Sequence, residues 1–156
     1  MRRRAFLTVG VVVACAAAIL GYQAAGKPAA DDKDVAAVRA VIEAQAQAWN
    51  RGDIGGYMEG YAREDATTFV SGDTVTRGWQ TVMDRYKRNY DTREKMGTLA
   101  FTELEFKPVS DSYVLAIGRW QLTRAGDAPR GRFSLLFRRT PAGWRIVHDH
   151  SSAETP

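Results

Sequence analysis

Gly143-Trp144-Arg145-Ile146-Val147-His148-Asp149-His150-Ser151-Ser152 closes the regular part of the chain and holds both of its histidines. Pro141-Ala142-Gly143 before it marks a turn. Trp, Ile and Val then favour a strand. Alternation along a strand puts Trp144, Ile146, His148 and His150 on one face and Arg145, Val147 and Asp149 on the other. Two imidazoles that continue an apolar stripe read as a pocket wall. The plainer reading is a pair of histidines hydrogen-bonded within a packed core.

Upstream of this stretch the pattern is also period two. Leu99 to Val109, Tyr113 to Arg124 and Gly131 to Thr140 alternate as strands, and Trp144 to Ser151 is the fourth. Ser110-Asp111-Ser112, Gly126-Asp127-Ala128-Pro129 and Pro141-Ala142-Gly143 join them. Connections this short imply antiparallel neighbours. Earlier still the spacing is helical. Val35, Val38, Ile42, Ala46 and Trp49 recur behind a capping Asp34, and Gly52 stops the helix. Asp53 caps a short second helix through Tyr61, and Trp79 to Tyr90 forms a third. A short strand, Ala66 to Val70, lies between these two and ends at Ser71-Gly72-Asp73. Helices followed by an antiparallel meander define an α+β domain, with the helices on the concave face of a curved, mainly antiparallel sheet.

The N-terminus reads as an address. Met1-Arg2-Arg3-Arg4 precedes a run from Ala5 to Ala25 broken only by Thr8, Tyr22 and Gln23. This is signal-peptide grammar, and Arg3-Arg4-Ala5-Phe6-Leu7 resembles a twin-arginine export signal. Residues 1–26 are therefore expected to direct export to the periplasm or beyond. The alternatives are an uncleaved membrane anchor, since about 20 apolar residues suffice, or lipidation at Cys15. Cys15 is the chain's single cysteine, so the folded part holds together without a disulfide. Residues 27–33 read as a linker and 153–156 as a tail.

The formal charge of +4 includes three arginines from residues 1–26 and no acid from that segment, so the remainder is close to neutral. With no basic patch interleaved with aromatics, nucleic acid is a poor partner. The sequence also lacks a Gly-rich phosphate loop and a Ser-His-Asp arrangement.

Asn50-Arg51-Gly52-Asp53, Tyr61-Ala62, Asp65-Ala66-Thr67, Arg77-Gly78-Trp79, Gly118-Arg119-Trp120 and the final histidine strand occur in an order that resembles the nuclear transport factor 2-like superfamily. The likeness covers residues 34–152. Within that group the chain resembles SnoaL-like and ketosteroid-isomerase-like exported bacterial proteins. Its last strand is similar to the end of the calcium/calmodulin-dependent kinase II association domain. The resemblance implies a cone-shaped domain with a cavity between helices and sheet, paired as a homodimer through the outer sheet face. It does not imply one activity. The roles of a steroid isomerase fall at Val70, Gln45 and Leu135, none of which supplies its acidic base, phenol or carboxyl. That chemistry is rejected in that arrangement.

His148 and His150 are the expected acid/base groups, because an imidazole titrates near neutrality. Arg119 lies where the similar kinase domain has an arginine facing its pocket, and a guanidinium there would suit a carboxylate. The equal alternative is an arginine on a solvated sheet face. Trp120 points to the face opposite Arg119. Trp120 and Phe106 are then expected at the dimer contact. Trp49, Tyr57, Tyr61, Trp79 and Tyr86 are expected to form the ligand wall. His148 and His150 with Asp65 or Glu59 make too sparse a metal set, so neither metal nor cofactor is expected. The expected function is binding of a small anionic or aromatic organic molecule. An isomerase, lyase or hydrolase using His148 or His150, and a non-catalytic assembly module, are the alternatives.

Overall fold

The chain runs α1 (Asp32–Asn50), α2 (Ile54–Met58), β1 (Thr68–Ser71), β2 (Thr74–Arg77), α3 (Trp79–Asn89), α4 (Arg93–Met96), β3 (Thr98–Ser110), β4 (Tyr113–Thr123), β5 (Arg130–Thr140) and β6 (Gly143–Ser151). The structure, a computed structural model, describes residues 32–154. The export segment of residues 1–26 lies outside the described residues, as do Cys15 and residues 27–31. Asp32 and Lys33 already belong to α1, so Asp34 sits inside the first turn rather than capping it. Among the described residues no helix is long and apolar enough to cross a membrane.

The strands form one curved sheet in the order β2-β1-β6-β5-β4-β3. β1 runs parallel to β6, and every other neighbouring pair is antiparallel. This is the α+β cone, with helices on the concave face. α1 turns Val38, Ile42, Gln45 and Trp49 toward the sheet at helical spacing, and all four are buried. Burying each apolar side chain of that size contributes roughly 1.5–3 kcal/mol. Gly52, at φ +84°, lets the chain leave α1 without steric strain. Asp53 Oδ1 then caps α2 by accepting from the Gly56 N–H at 2.7 Å. The Ser71-Gly72-Asp73 turn does not end sheet pairing: β2 folds back on β1 as a hairpin, with Gly72 at φ +60°.

Two bulges decide which side chains face the helices. In β5–β6 the register steps from Phe137↔Ile146 to Leu136↔His148, leaving Val147 as the extra residue. Above the bulge Trp144 and Ile146 point inward, as alternation predicts. Below it the parity is inverted. Asp149 is buried, His148 is half-buried and His150 is exposed. The strand's outer partner changes at the same place. Ile146 bonds to Gly60 and Ala62 through its backbone, whereas His148 onward pairs with β1. In β3–β4 the register slips between Thr102 and Glu105, with Glu103 at φ +52°. Phe106 is thereby turned inward to pack on the core, with the Arg39 guanidinium over its ring.

Candidate functional site

A cavity of about 230 Å³ lies between α1–α3 and the inner sheet face. Its walls are largely aromatic. Trp49 meets Tyr57 edge-on at 5.2 Å between ring centres, and Tyr57 meets Tyr86 at 5.1 Å. Such edge-to-face pairs fix the rings in place as well as burying them. Phe69, Phe133 and Leu135 supply the sheet side.

One end of the cavity is polar. Tyr61 Oη donates to Asp149 Oδ2 at 2.6 Å, and Ser151 Oγ donates to Oδ1 at 2.8 Å. The Tyr86 hydroxyl lies 3.3 Å from Tyr61 Oη and 3.5 Å from Tyr57 Oη. With Asp149 ionised, the direction of this chain is set. Tyr61 gives its proton to the carboxylate, so Tyr86 must donate to Tyr61 and Tyr57 to Tyr86. The chain ends on the Tyr57 oxygen, whose lone pairs remain to accept from a ligand. Burial raises Asp149 to about 6, although its hydrogen bonds from Tyr61 and Ser151 and the nearby His150 favour the ionised form. Burial likewise pushes Tyr57, Tyr61 and Tyr86 above the usual phenol range, so all three stay protonated as hydrogen-bond donors.

Arg85 and Asn89 of α3, Ser71 of β1 and the Ser152–Ala153 tail also line the cavity. Trp120 Nε1 donates to the Ser152 carbonyl at 2.9 Å, and the Ser152 N–H donates to the Arg132 carbonyl. The tail thus continues along β5 and lines part of the cavity.

The structure brings together Trp49, Tyr57, Tyr61 and Tyr86 of the expected wall. Four other expected site residues lie elsewhere. His148 is on the outer face, where its Nδ1 pairs with Thr68 Oγ1 at 2.6 Å, and His150 is exposed on that face between Ser134 and Val70. The Val147 bulge accounts for both positions. Arg119 faces outward too, opposite Arg132, with Glu103 at 3.6 Å and Glu154 at 3.5 Å. β4 alternates regularly, so turning Arg119 outward turns Trp120 into the cavity. Trp120 and Phe106 therefore do not form an outer apolar patch. Trp79 lies beyond the cavity wall, donating from Nε1 to the Met58 carbonyl beneath the Arg63 guanidinium. Of the three steroid-isomerase positions, Gln45 and Leu135 line the cavity. Val70 shares the outward side of the register with His150.

Sequence reasoning did not select Asp149 and Arg85 as site residues. The available signal for Asp149 was a carboxylate in an apolar strand beside Ser151. Among the described residues no group of three His, Cys, Asp or Glu side chains is placed to hold a metal ion.

The pattern described as a SnoaL-like domain matches residues 38–156. A solved NTF-2 like protein of unknown function from Shewanella oneidensis MR-1 is 36% identical, with a TM-score of 0.73 over 76% of this chain and 98% of that one. A ketosteroid isomerase-like protein from Erwinia carotovora atroseptica is 19% identical, with a TM-score of 0.63 over 81% and 100% of the two chains. A cystatin-like fold protein of unknown function from Nostoc punctiforme is 7% identical, with a TM-score of 0.67 over 81% and 96%. The last two show likeness of fold alone. No curated protein matches the chain significantly.

Proposed function

We propose, for a chain that belongs to the SnoaL-like family of the nuclear transport factor 2-like superfamily, that the cavity binds a small ring-shaped organic molecule bearing a hydroxyl. The Tyr57–Tyr86–Tyr61–Asp149 chain in a largely aromatic cavity carries this reading. Apolar walls supply burial, and a few convergent polar groups orient the ligand. The volume, below the ~300–1,000 Å³ typical of sites for drug-sized ligands, favours a small ring compound over a steroid-sized skeleton.

Calorimetric titration of the full chain with 4-cresol tests the reading. Tyr57→Phe removes the terminal oxygen and is expected to weaken binding about three- to tenfold, the effect of one neutral hydrogen bond. His148→Ala and His150→Ala leave the affinity unchanged. Equal binding by Tyr57→Phe and the wild type would place the ligand's hydroxyl elsewhere.

A second reading, isomerase-type proton transfer, is favoured by the raised Asp149 carboxyl. A base that titrates near working pH is suited to taking and returning a proton beside a carbonyl. In this reading Asp149 takes the acid/base role first assigned to the histidines.

Two further parts of the proposal lie outside the cavity. The Arg3-Arg4-Ala5-Phe6-Leu7 signal supports action outside the cytoplasm, and fractionation of cells expressing Arg3→Lys and Arg4→Lys together tests it: retention supports the twin-arginine route. A homodimer through the outer sheet face rests on half-buried Leu115, Ile117 and Leu136, which are adjacent there in the β4–β5 register. A monomer by light scattering at micromolar concentration would remove it.

A further inference from the structure

Arg85 is the single cationic side chain that lines the cavity among the described residues. It is half-buried, and no carboxylate among those residues pairs with it. Its guanidinium is nevertheless held in place. The carbon at its centre lies 4.9 Å from the centre of the Phe69 ring, and Nη1 donates to Thr76 Oγ1 at 3.0 Å. A guanidinium has five N–H donors, and Thr76 takes one. Contact with an aromatic face orients the fork and spares part of the entropy that anion binding would otherwise cost. Asn89 follows four residues later on α3, on the same helix face, and also lines the cavity.

The Asp149 carboxylate disfavours anions beside it. Both of its oxygens are engaged by hydroxyl donors. A ligand carboxylate placed beside it would meet a like charge in a region of low dielectric. Beside Arg85 the same group would meet a fixed cation. The two side chains therefore favour different chemistry in a bound molecule.

We infer that the cavity selects hydroxylated aromatic acids, with the carboxylate held by Arg85 and the hydroxyl donating to Tyr57. This deepens the binding reading above and rests on it. It also restores to the site the anion-gripping role expected of Arg119, on a different element and with a different residue.

Paired calorimetric titrations of the full chain with 4-hydroxyphenylacetate and 4-cresol test the inference. The two compounds share the phenol and differ by the carboxylate. The wild type is expected to bind the acid at least about tenfold more tightly than the cresol, the effect of one charge-assisted contact. Arg85→Gln should bring that ratio to within about twofold. In the unmodified protein, raising the salt concentration should weaken the acid and spare the cresol, since Arg85 is only half-buried. If the cresol binds as tightly as the acid, or if Arg85→Gln keeps the preference, the assignment of Arg85 is overturned while the ring-binding cavity stands. If neither compound binds, the cavity reading falls and this inference falls with it.

Discussion

Asp149 and His150 are neighbours in the chain on opposite sides of the sheet. Asp149 lies in the cavity with two hydroxyls donating to its oxygens, and burial has raised it to about 6. His150 is exposed on the outer face, and His148 beside it is tied to Thr68. Both residue types are able acids and bases, so residue type alone would not separate them. Position separates them. Only the carboxyl faces the space where a small molecule fits, and it faces there because Val147 inserts one residue into β6.

The comparison is sharpened first by stability as a function of pH. The folded Asp149 carboxyl titrates near 6, whereas an unfolded one titrates near ~3.9. Between about pH 4 and 6 the folded chain keeps a proton that the unfolded chain has released. The contribution of Asp149 to stability is therefore most favourable below about pH 4, declines as pH rises to about 6, and carries its full penalty above that. A shift of this size is worth about 1–3 kcal/mol. Asp149→Asn is expected to stabilise the domain by that amount at pH 8, with little gain at pH 4. Denaturant melts at the two pH values check it. A variant less stable at pH 8 would mean that the ionised carboxylate contributes more through its hydrogen bonds than it loses by desolvation.

Smaller effects are expected on the outer face. His148→Ala should cost about 0.5–1.5 kcal/mol through loss of the half-buried bond with Thr68. His150→Ala should stay within about 0.5 kcal/mol of the wild type, as for most exposed positions. The same denaturant melts measure both. A cost for His150 larger than that for His148 would contradict the inverted parity.

Much of the fold was legible because it rests on local periodicity. The stripe at Val38, Ile42 and Trp49, the Asp53 cap and the alternation of four strands each report on a few neighbouring residues. The site was less legible because it depends on parity carried along a strand. Counting by two from Trp144 holds to Ile146 and fails at Val147, where the backbone partner changes from the Gly60–Ala62 segment to β1. That change belongs to the tertiary fold and leaves no mark in the strand's own residues. A second bulge beside Glu103 misled the placement of Phe106 in the same way. For β4 alternation itself was ambiguous, since Leu115 and Ile117 are as apolar as Val114 and Ala116. The resemblance to the kinase domain then favoured Arg119 over Trp120. Trp79 shares a helical stripe with Tyr86, yet its ring is held against the α2 backbone outside the cavity. A stripe identifies a buried face without identifying which of its residues border a void.

The most direct measurement of the account is an NMR titration with carboxyl-labelled aspartate and ring-labelled histidine, recorded before and after addition of 4-cresol. The Asp149 carboxyl resonance is expected to titrate near pH 6 and to shift on addition of the phenol, while the cresol leaves the His148 and His150 ring resonances in place. Shifts confined to the two imidazoles, with Asp149 unmoved, would contradict it.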